Sequence, residues 1–177
     1  MAAKDASFEE VSGFHGHVCP GLAIGYRMAR AGMEALSDER AEDEQMVAVV
    51  ENDACGVDAV QYLTGCTFGK GNLIFRDYGK QVYTLHHRAS GKAVRITPAE
   101  PSEAGRAEMT REARTRWILD APDEEVVSVE EVSDAAPEYA RIRASVDCAF
   151  CGERVMETRA RIKDGKTACI PCSEQQS

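Results

Sequence analysis

Apolar residues recur every three or four positions in two early segments of the chain, which indicates helices that each bury one face. The first segment covers residues 7–14, where Ser7 and Glu10 have the spacing of a capping box. The second runs from Pro20 to about Leu36, and proline suits the first turn of a helix. The residues of its predicted buried face are Leu22, Tyr26, Ala29 and Met33.

The pattern changes to a short valine-rich run at Met46–Glu51, which predicts a buried strand. A third helix follows, with Asn52 or Asp53 as its N-cap, and it ends near Thr64. Gly65 is a suitable C-terminal stop.

Three further strands are predicted between turn-forming residues. They cover residues 73–76, 81–88 and 92–97. A polar helix is then expected from a Ser102 cap to about Leu119, followed by a short strand at 125–132. The order helix, strand, helix and three strands does not alternate as βαβ units do, so an α+β fold with a mixed β-sheet core is expected.

Composition and charge narrow the functional classes. The formal net charge of −9 argues against binding to nucleic acid or to anionic membrane over the whole surface, because both require a positive field. No apolar stretch approaches the ~20 residues that span a bilayer, and the N-terminus lacks the apolar region of a signal peptide. The seven cysteines are an odd number and make a poor disulfide framework. A cytoplasmic protein is therefore expected.

Four of the cysteines form two Cys-x-x-Cys pairs near the C-terminus, Cys148/Cys151 and Cys169/Cys172. This spacing is typical of a tetrahedral structural zinc site, and a closed shell of four thiolates leaves no position open for a substrate. So short a segment cannot bury a useful core, so metal binding must supply its folding energy. The alternatives are iron in the same shell, or four unrelated buried or oxidised cysteines.

This segment resembles zinc ribbons of the DksA/TraR type, on the strength of Cys-x-x-Cys-Gly-Glu and Cys-Ile-x-Cys. We therefore predict two domains, an α+β domain over 1–140 and a zinc ribbon over 141–177. Basic residues slightly outnumber acidic ones in the ribbon, which favours an acidic partner or, more simply, a solvated surface.

A second group of soft ligands is spread over the first half of the chain. His15, His17 and Cys19 alternate along an extended segment and would share one face. Cys55 lies in the first turn of the third predicted helix, and Cys66 lies just after that helix. Imidazoles and thiolates suit a second divalent transition metal, with zinc as the expected ion. Cys66 fits the role of a small buried hydrophobe equally well.

Cys19 and Cys55 are also candidate catalytic nucleophiles. Both are predicted at helix N-termini, where the positive end of the helix dipole favours a thiolate. Asp53 and Asp58 could orient a ligand from behind, although helix capping is the simpler role for Asp53. The sequence Gly69-Lys-Gly71 lacks the spacing of a phosphate-binding loop and is not interpreted as one.

Three stretches together resemble the FmdE family, which takes its name from formylmethanofuran dehydrogenase. They are Phe14-His-Gly-His-Val-Cys-Pro-Gly-Leu-Ala-Ile-Gly-Tyr-Arg27, Glu51-Asn-Asp-Ala-Cys-Gly-Val-Asp-Ala-Val-Gln61 and Thr64-Gly-Cys-Thr-Phe-Gly-Lys-Gly-Asn-Leu73. The resemblance implies an α+β core with a mixed sheet, a homodimer, and a metal pocket built from the histidines and cysteines of these motifs. By position, these are His15, His17, Cys19, Cys55 and Cys66.

What the resemblance implies about function is an accessory protein of molybdenum- or tungsten-dependent formylmethanofuran dehydrogenase metabolism. The chain is too short to hold a pterin cofactor and electron-transfer clusters itself, so any activity of its own would depend on a bound metal or a thiol. Two alternatives stay open at this point. One is a regulatory protein whose zinc ribbon docks a protein partner, and the other is a metal storage or delivery protein.

Overall fold

The computed structural model describes residues 6–36, 43–100 and 108–175. The chain divides into two compact units, Met1–Tyr139 and Ala140–Ser177. Within the described ranges, no helix has the length and apolar character needed to cross a bilayer.

The first unit is built on a mixed five-stranded sheet with the strand order β2-β1-β3-β4-β5. Strand β1 pairs in parallel with β2, and the other neighbouring strands pair antiparallel. The strands are β1 (Met46–Val50), β2 (Leu73–Phe75), β3 (Tyr83–His87), β4 (Ala93–Pro98) and β5 (Val127–Val132). This is the mixed-sheet α+β fold that the order of elements predicts.

Three helices carry most of the residues that concern the function. They are α1 (Phe8–His15), α2 (Pro20–Ala35) and α3 (Gly56–Thr64). Ser7 and Glu10 form the predicted capping box at the start of α1. One buried face of α2 packs on the sheet and on α3, because its apolar residues recur with the helical period.

Two glycines allow α2 and α3 to lie in direct backbone contact. A β-carbon on Gly25 would lie 2.7 Å from the carbonyl carbon of Gly56, a distance that real β-carbons do not reach. A β-carbon on Gly56 would clash with the hydroxyl of Tyr83. The starts of the two helices can therefore approach each other only if both positions lack a side chain.

A buried arginine joins α2 to two later helices, α4 (Arg111–Asp120) and α5 (Asp123–Val126). The Arg27 guanidinium donates to the carbonyl oxygens of Ile118, Leu119 and Ala121 at 2.5–2.9 Å. It also pairs with Asp123 at 2.6 Å. These donors satisfy carbonyls that the end of α4 would leave without partners.

The second unit consists of two short hairpins and a final helix. The first hairpin pairs β6 (Ser145–Asp147) with β7 (Arg154–Met156), and the second pairs β8 (Arg161–Lys163) with β9 (Lys166–Ala168). A single turn of 3₁₀ helix links the hairpins, and α6 (Ile170–Glu174) follows. Its buried apolar core contains only Cys148, Ala168 and Cys169 among the described residues.

Some element boundaries differ from those predicted. Helix α3 begins after Cys55 rather than at Asn52 or Asp53, because the Asn52 side chain forms a turn with the Ala54 N–H and donates to the Lys80 carbonyl. The predicted Ser102 cap lies outside the described residues, and Thr110 caps α4. The strand predicted at 125–132 begins two residues later, after the short helix α5.

The contact between α2 and α3 makes a direct prediction. Replacing Gly25 with alanine should lower the free energy of unfolding by about 1–3 kcal/mol, because overpacking pushes the helices apart. The matched control is Gly13→Ala in α1, where a β-carbon meets no atom within 4 Å. That variant should be neutral or gain up to about 1 kcal/mol, since alanine is the better helix former. Urea unfolding curves of the two variants provide the comparison, and equal stabilities would contradict the prediction.

Candidate metal centre

Four of the five predicted ligands in the first unit come together in the structure. One donor atom from each of His15, His17, Cys19 and Cys55 lies within 4.8 Å of the other three. Two imidazole nitrogens and two thiol sulfurs at this spacing match the donor set of a tetrahedral site for zinc or a similar divalent ion. The residues that the structure describes thus fit a metal ion, and the group is called the His/Cys centre below.

The local backbone explains how these residues converge. His15 is the last residue of α1, and Gly16 turns the chain with a left-handed φ of 91°. His17 and Cys19 follow in the short connection to α2, where Cys19 occupies the N-cap. Cys55 comes from far along the sequence but precedes Gly56, which is the residue in contact with α2.

His15 is held in the orientation that a metal ligand needs. Its Nδ1 lies 2.6 Å from Oδ2 of Asp58, and Gln61 donates to the other oxygen of the same carboxylate. The carboxylate accepts the Nδ1 proton, so the lone pair is on Nε2. That Nε2 atom is buried and has no hydrogen-bond partner among the described residues. A buried acceptor without a partner is costly, and a metal ion would satisfy it.

The two cysteines of the centre have different surroundings. Cys19 is 2% exposed, and its sulfur accepts a hydrogen bond from the Leu22 N–H at 3.3 Å. Cys55 is half-buried and makes no side-chain capping bond in α3. Burial raises the pKa of the Cys55 thiol, and its hydrogen bond with Cys19 raises the pKa further. The expectation that the helix terminus holds Cys55 as a thiolate is therefore wrong for the metal-free protein, because burial outweighs the helix dipole.

Cys66, the fifth candidate, lies outside this group. Its side chain is buried in the main apolar core, and its sulfur donates to the carbonyl oxygen of Met46 at 3.4 Å. Burial also raises the pKa of this thiol. The structure thus places Cys66 where a small hydrophobic residue would be expected, which is the alternative that the sequence left open.

A cavity of about 400 Å³ lies beside the His/Cys centre. His15 and Cys55 form part of its wall, so a molecule in the cavity could reach the centre. Asp53 and the aromatic rings of Phe68 and Phe75 also line it. This combination of apolar surface with a few polar groups is typical of small-molecule sites.

The second unit holds a separate group of four cysteines. One sulfur from each of Cys148, Cys151, Cys169 and Cys172 lies within 4.8 Å of the others. Backbone hydrogen bonds, the largest from Cys151, lower the pKa of Cys148 to about 6. Crowding by the other thiols, first of all Cys169, raises the pKa of Cys172 to about 12. Four sulfurs that compete for protons in this way suit a cation that would deprotonate all of them.

Sequence reasoning identifies the ligands but misses the residues that bring them together. Gly25 and Gly56 carry no chemical group, and their only signal is glycine inside two helical patterns. Their contact emerges only when the helices are packed. Asp58, by contrast, is predicted as a residue that could orient a ligand, and the structure places it against His15.

The chain was compared with known proteins. Residues 14–132 match the family described as "FmdE, Molybdenum formylmethanofuran dehydrogenase operon". The chain is 34% identical, over 191 aligned residues and 90% of its length, to a probable S-adenosyl-L-methionine-binding protein of Archaeoglobus fulgidus. It spans only 50% of that relative.

A solved structure is also similar over nearly the whole chain. It is an FmdE-like protein of tungsten formylmethanofuran dehydrogenase from Syntrophus aciditrophicus, with 25% sequence identity and a TM-score of 0.75. The similarity covers 96% of this chain and 94% of that protein. Because the family match extends over more than half of the sequence and includes all four ligands of the His/Cys centre, the chain belongs to the FmdE family.

Proposed function

We propose that this chain is a metal-binding accessory protein of formylmethanofuran dehydrogenase-type metabolism. The observation that carries the proposal is the convergence of His15, His17, Cys19 and Cys55, with a lone pair of His15 aimed at the common point. A divalent transition metal, zinc by preference, would be held there, and a structural zinc would be held by the four cysteines of the second unit. The free thiols suit the reducing cytoplasm, which is the location we expect.

The donor count bears on what the His/Cys centre can do. Four protein donors fill a tetrahedral shell, whereas a catalytic zinc usually keeps one position open. A small molecule in the adjoining cavity would therefore have to displace one donor or add a fifth. His17 is the most exposed of the four donors and Cys19 the most buried, so His17 is the donor that would leave. A bound metal would supply Lewis acidity, while Asp58 keeps His15 in its ligating tautomer.

The metal-binding proposal predicts the metal content of variants. Cys55→Ser should reduce the metal content from two ions per chain to one, because the His/Cys centre loses a soft donor while the four-cysteine group is untouched. The control is Cys66→Ala, a cysteine outside both groups, which should keep both ions. Elemental analysis of purified protein measures this, and a Cys55→Ser protein with full metal content would contradict the proposed centre.

Asp58 should act through the affinity of the centre rather than through its metal stoichiometry. Asp58→Asn removes the carboxylate that orients His15, and such changes typically weaken metal binding by about 10–100-fold. Asp53→Asn, at a residue of the same cavity, is the matched control and should leave the affinity unchanged. A competition titration against a chromophoric chelator gives both values. Equal affinities for the two variants would show that the contact between Asp58 and His15 does not support the metal.

The four-cysteine unit should depend on its metal for folding. Its buried core is so small that the unit cannot be stable without the coordination bonds. Chelation of the metal should therefore collapse the dispersed amide NMR signals of residues 140–175. Signals that stay dispersed after complete metal removal would refute this. The absorption spectrum before chelation distinguishes zinc, which is colourless, from iron bound to thiolates.

Docking of a protein partner by the second unit is a second candidate function. Large apolar side chains are exposed on this small unit, including Phe150, Met156 and Ile162, the last at 75%. Exposed apolar surface of this kind marks interaction sites. Copurification of the dehydrogenase with the wild-type protein, and its loss in Ile162→Ser, would support this function. Light scattering of the purified protein tests the homodimer that the family resemblance implies.

Binding of S-adenosyl-L-methionine is a further candidate, supported by the likeness to the A. fulgidus relative over 90% of this chain. The cavity beside the His/Cys centre offers aromatic rings for a base and carboxylates for a sulfonium cation. Equilibrium dialysis with labelled S-adenosyl-L-methionine, with Phe75→Ala for comparison, provides the test. Binding that Phe75→Ala does not weaken would remove this cavity as its location.

A further inference from the structure

The face of the sheet that points away from the helices carries a layer of polar side chains. Side chains alternate along each strand, so Val50 faces the main core while Val49 and Glu51 face the other way. On the neighbouring strands, Thr84 lies opposite Val49 and Arg95 lies opposite Thr84. These residues therefore form a polar row across three strands.

A segment after β5 covers this row. Arg88 holds the segment in place by donating to the carbonyl oxygens of Pro137 and Glu138, at 2.6 and 3.2 Å. Its guanidinium also lies 3.8 Å from the centre of the Tyr139 ring. The covering segment and the sheet enclose a cavity of about 320 Å³. The polar side chains in its wall are Glu51, Arg76, Thr84, His86, Arg95 and Asp134.

Two buried polar atoms of this cavity lack partners among the described residues. Glu51 is 6% exposed, and its Oε1 accepts from Arg95 at 2.7 Å while its Oε2 accepts from nothing. His86 is 4% exposed, and its Nδ1 is likewise unpartnered. Folded proteins rarely leave such atoms unsatisfied, so a group that enters the cavity is expected to satisfy them.

The strand register separates these two atoms. Glu51 and His86 lie on opposite sides of the pair formed by Val49 and Thr84, each two residues further along its own strand. One small group cannot satisfy both atoms at once. A ligand would need one polar group for Glu51 and a second polar group for His86.

The charges of the wall also describe the ligand. Glu51 and Asp134 supply two carboxylates, and Arg76 and Arg95 supply two guanidinium groups. Burial lowers the pKa of His86, which favours its neutral ring. A wall with balanced charges of both signs suits a small molecule that carries both signs itself. The volume is near the lower limit for ligand pockets, which fits a molecule the size of an amino acid.

We propose that this cavity binds a free α-amino acid with a polar side chain. The ammonium group of the ligand donates to Glu51 Oε2, and its carboxylate is held by Arg76. The side-chain polar group reaches His86 Nδ1 at the other end of the cavity. This site is distinct from the His/Cys centre, because the two lie on opposite faces of β1.

Isothermal titration of the full-length, metal-loaded protein tests this proposal, with L-glutamine, L-asparagine, L-serine and L-alanine as the probes. We expect at least one polar amino acid to bind with Kd at or below about 1 mM and more tightly than L-alanine. N-acetyl-L-glutamine lacks the ammonium group and L-glutamine amide lacks the carboxylate, so both should bind about tenfold more weakly than L-glutamine.

Variants locate the binding. Arg76→Gln should weaken it about tenfold, and Lys92→Gln, at another exposed cation outside the cavity, should not. Glu51→Gln should weaken it similarly. Should the loss of the Glu51 pair with Arg95 prevent folding, the exposed Arg76 still decides the question. Cys55→Ser should leave amino acid binding intact, which separates this inference from the proposed function.

Three results would overturn the proposal. The first is that none of the probe amino acids binds at millimolar concentration. The second is that N-acetyl-L-glutamine binds as tightly as L-glutamine, which would mean a simple anion site. The third is that Arg76→Gln binds as tightly as the wild type.

Discussion

The approach of two helices with no side chain between them is the constraint on which the first unit depends. Gly25 and Gly56 meet backbone to backbone, and the hydroxyl of Tyr83 fills the remaining space beside Gly56. Close packing leaves no room for adjustment at such a contact, so even one methyl group must move a helix. Because Cys55 precedes Gly56 directly, the same contact sets the distance from Cys55 to the residues at the start of α2.

The two metal groups are built in different ways. The four cysteines of the second unit come from two local turns, and their backbone hydrogen bonds are made within those turns. The His/Cys centre instead joins the end of α1, the start of α2 and the start of α3. A centre of the second kind exists only when the whole helical layer is packed, so its metal affinity is coupled to the stability of the fold.

Unsatisfied buried atoms mark both candidate sites of the first unit. His15 Nε2 points into the His/Cys centre, and Glu51 Oε2 and His86 Nδ1 point into the cavity on the far face of the sheet. Each such atom costs roughly 1–3 kcal/mol while it lacks a partner. The fold tolerates that cost at places where a ligand would remove it, and so the pattern of unsatisfied atoms is informative about function.

Local patterns in the sequence are enough to predict the α+β fold with a mixed sheet, the capping box of α1 and the candidate ligands, because periodicity and residue chemistry are local properties. They miss the start of α3, since the Asn52 side chain bonds to Lys80, a residue far along the chain. Only the packing decides that Cys66 lies in the core while Cys55 joins Cys19, because spacing along a chain does not specify distance across a helix contact. The polar cavity behind the sheet is also a tertiary property, since it needs strand register and a covering segment that Arg88 holds in place.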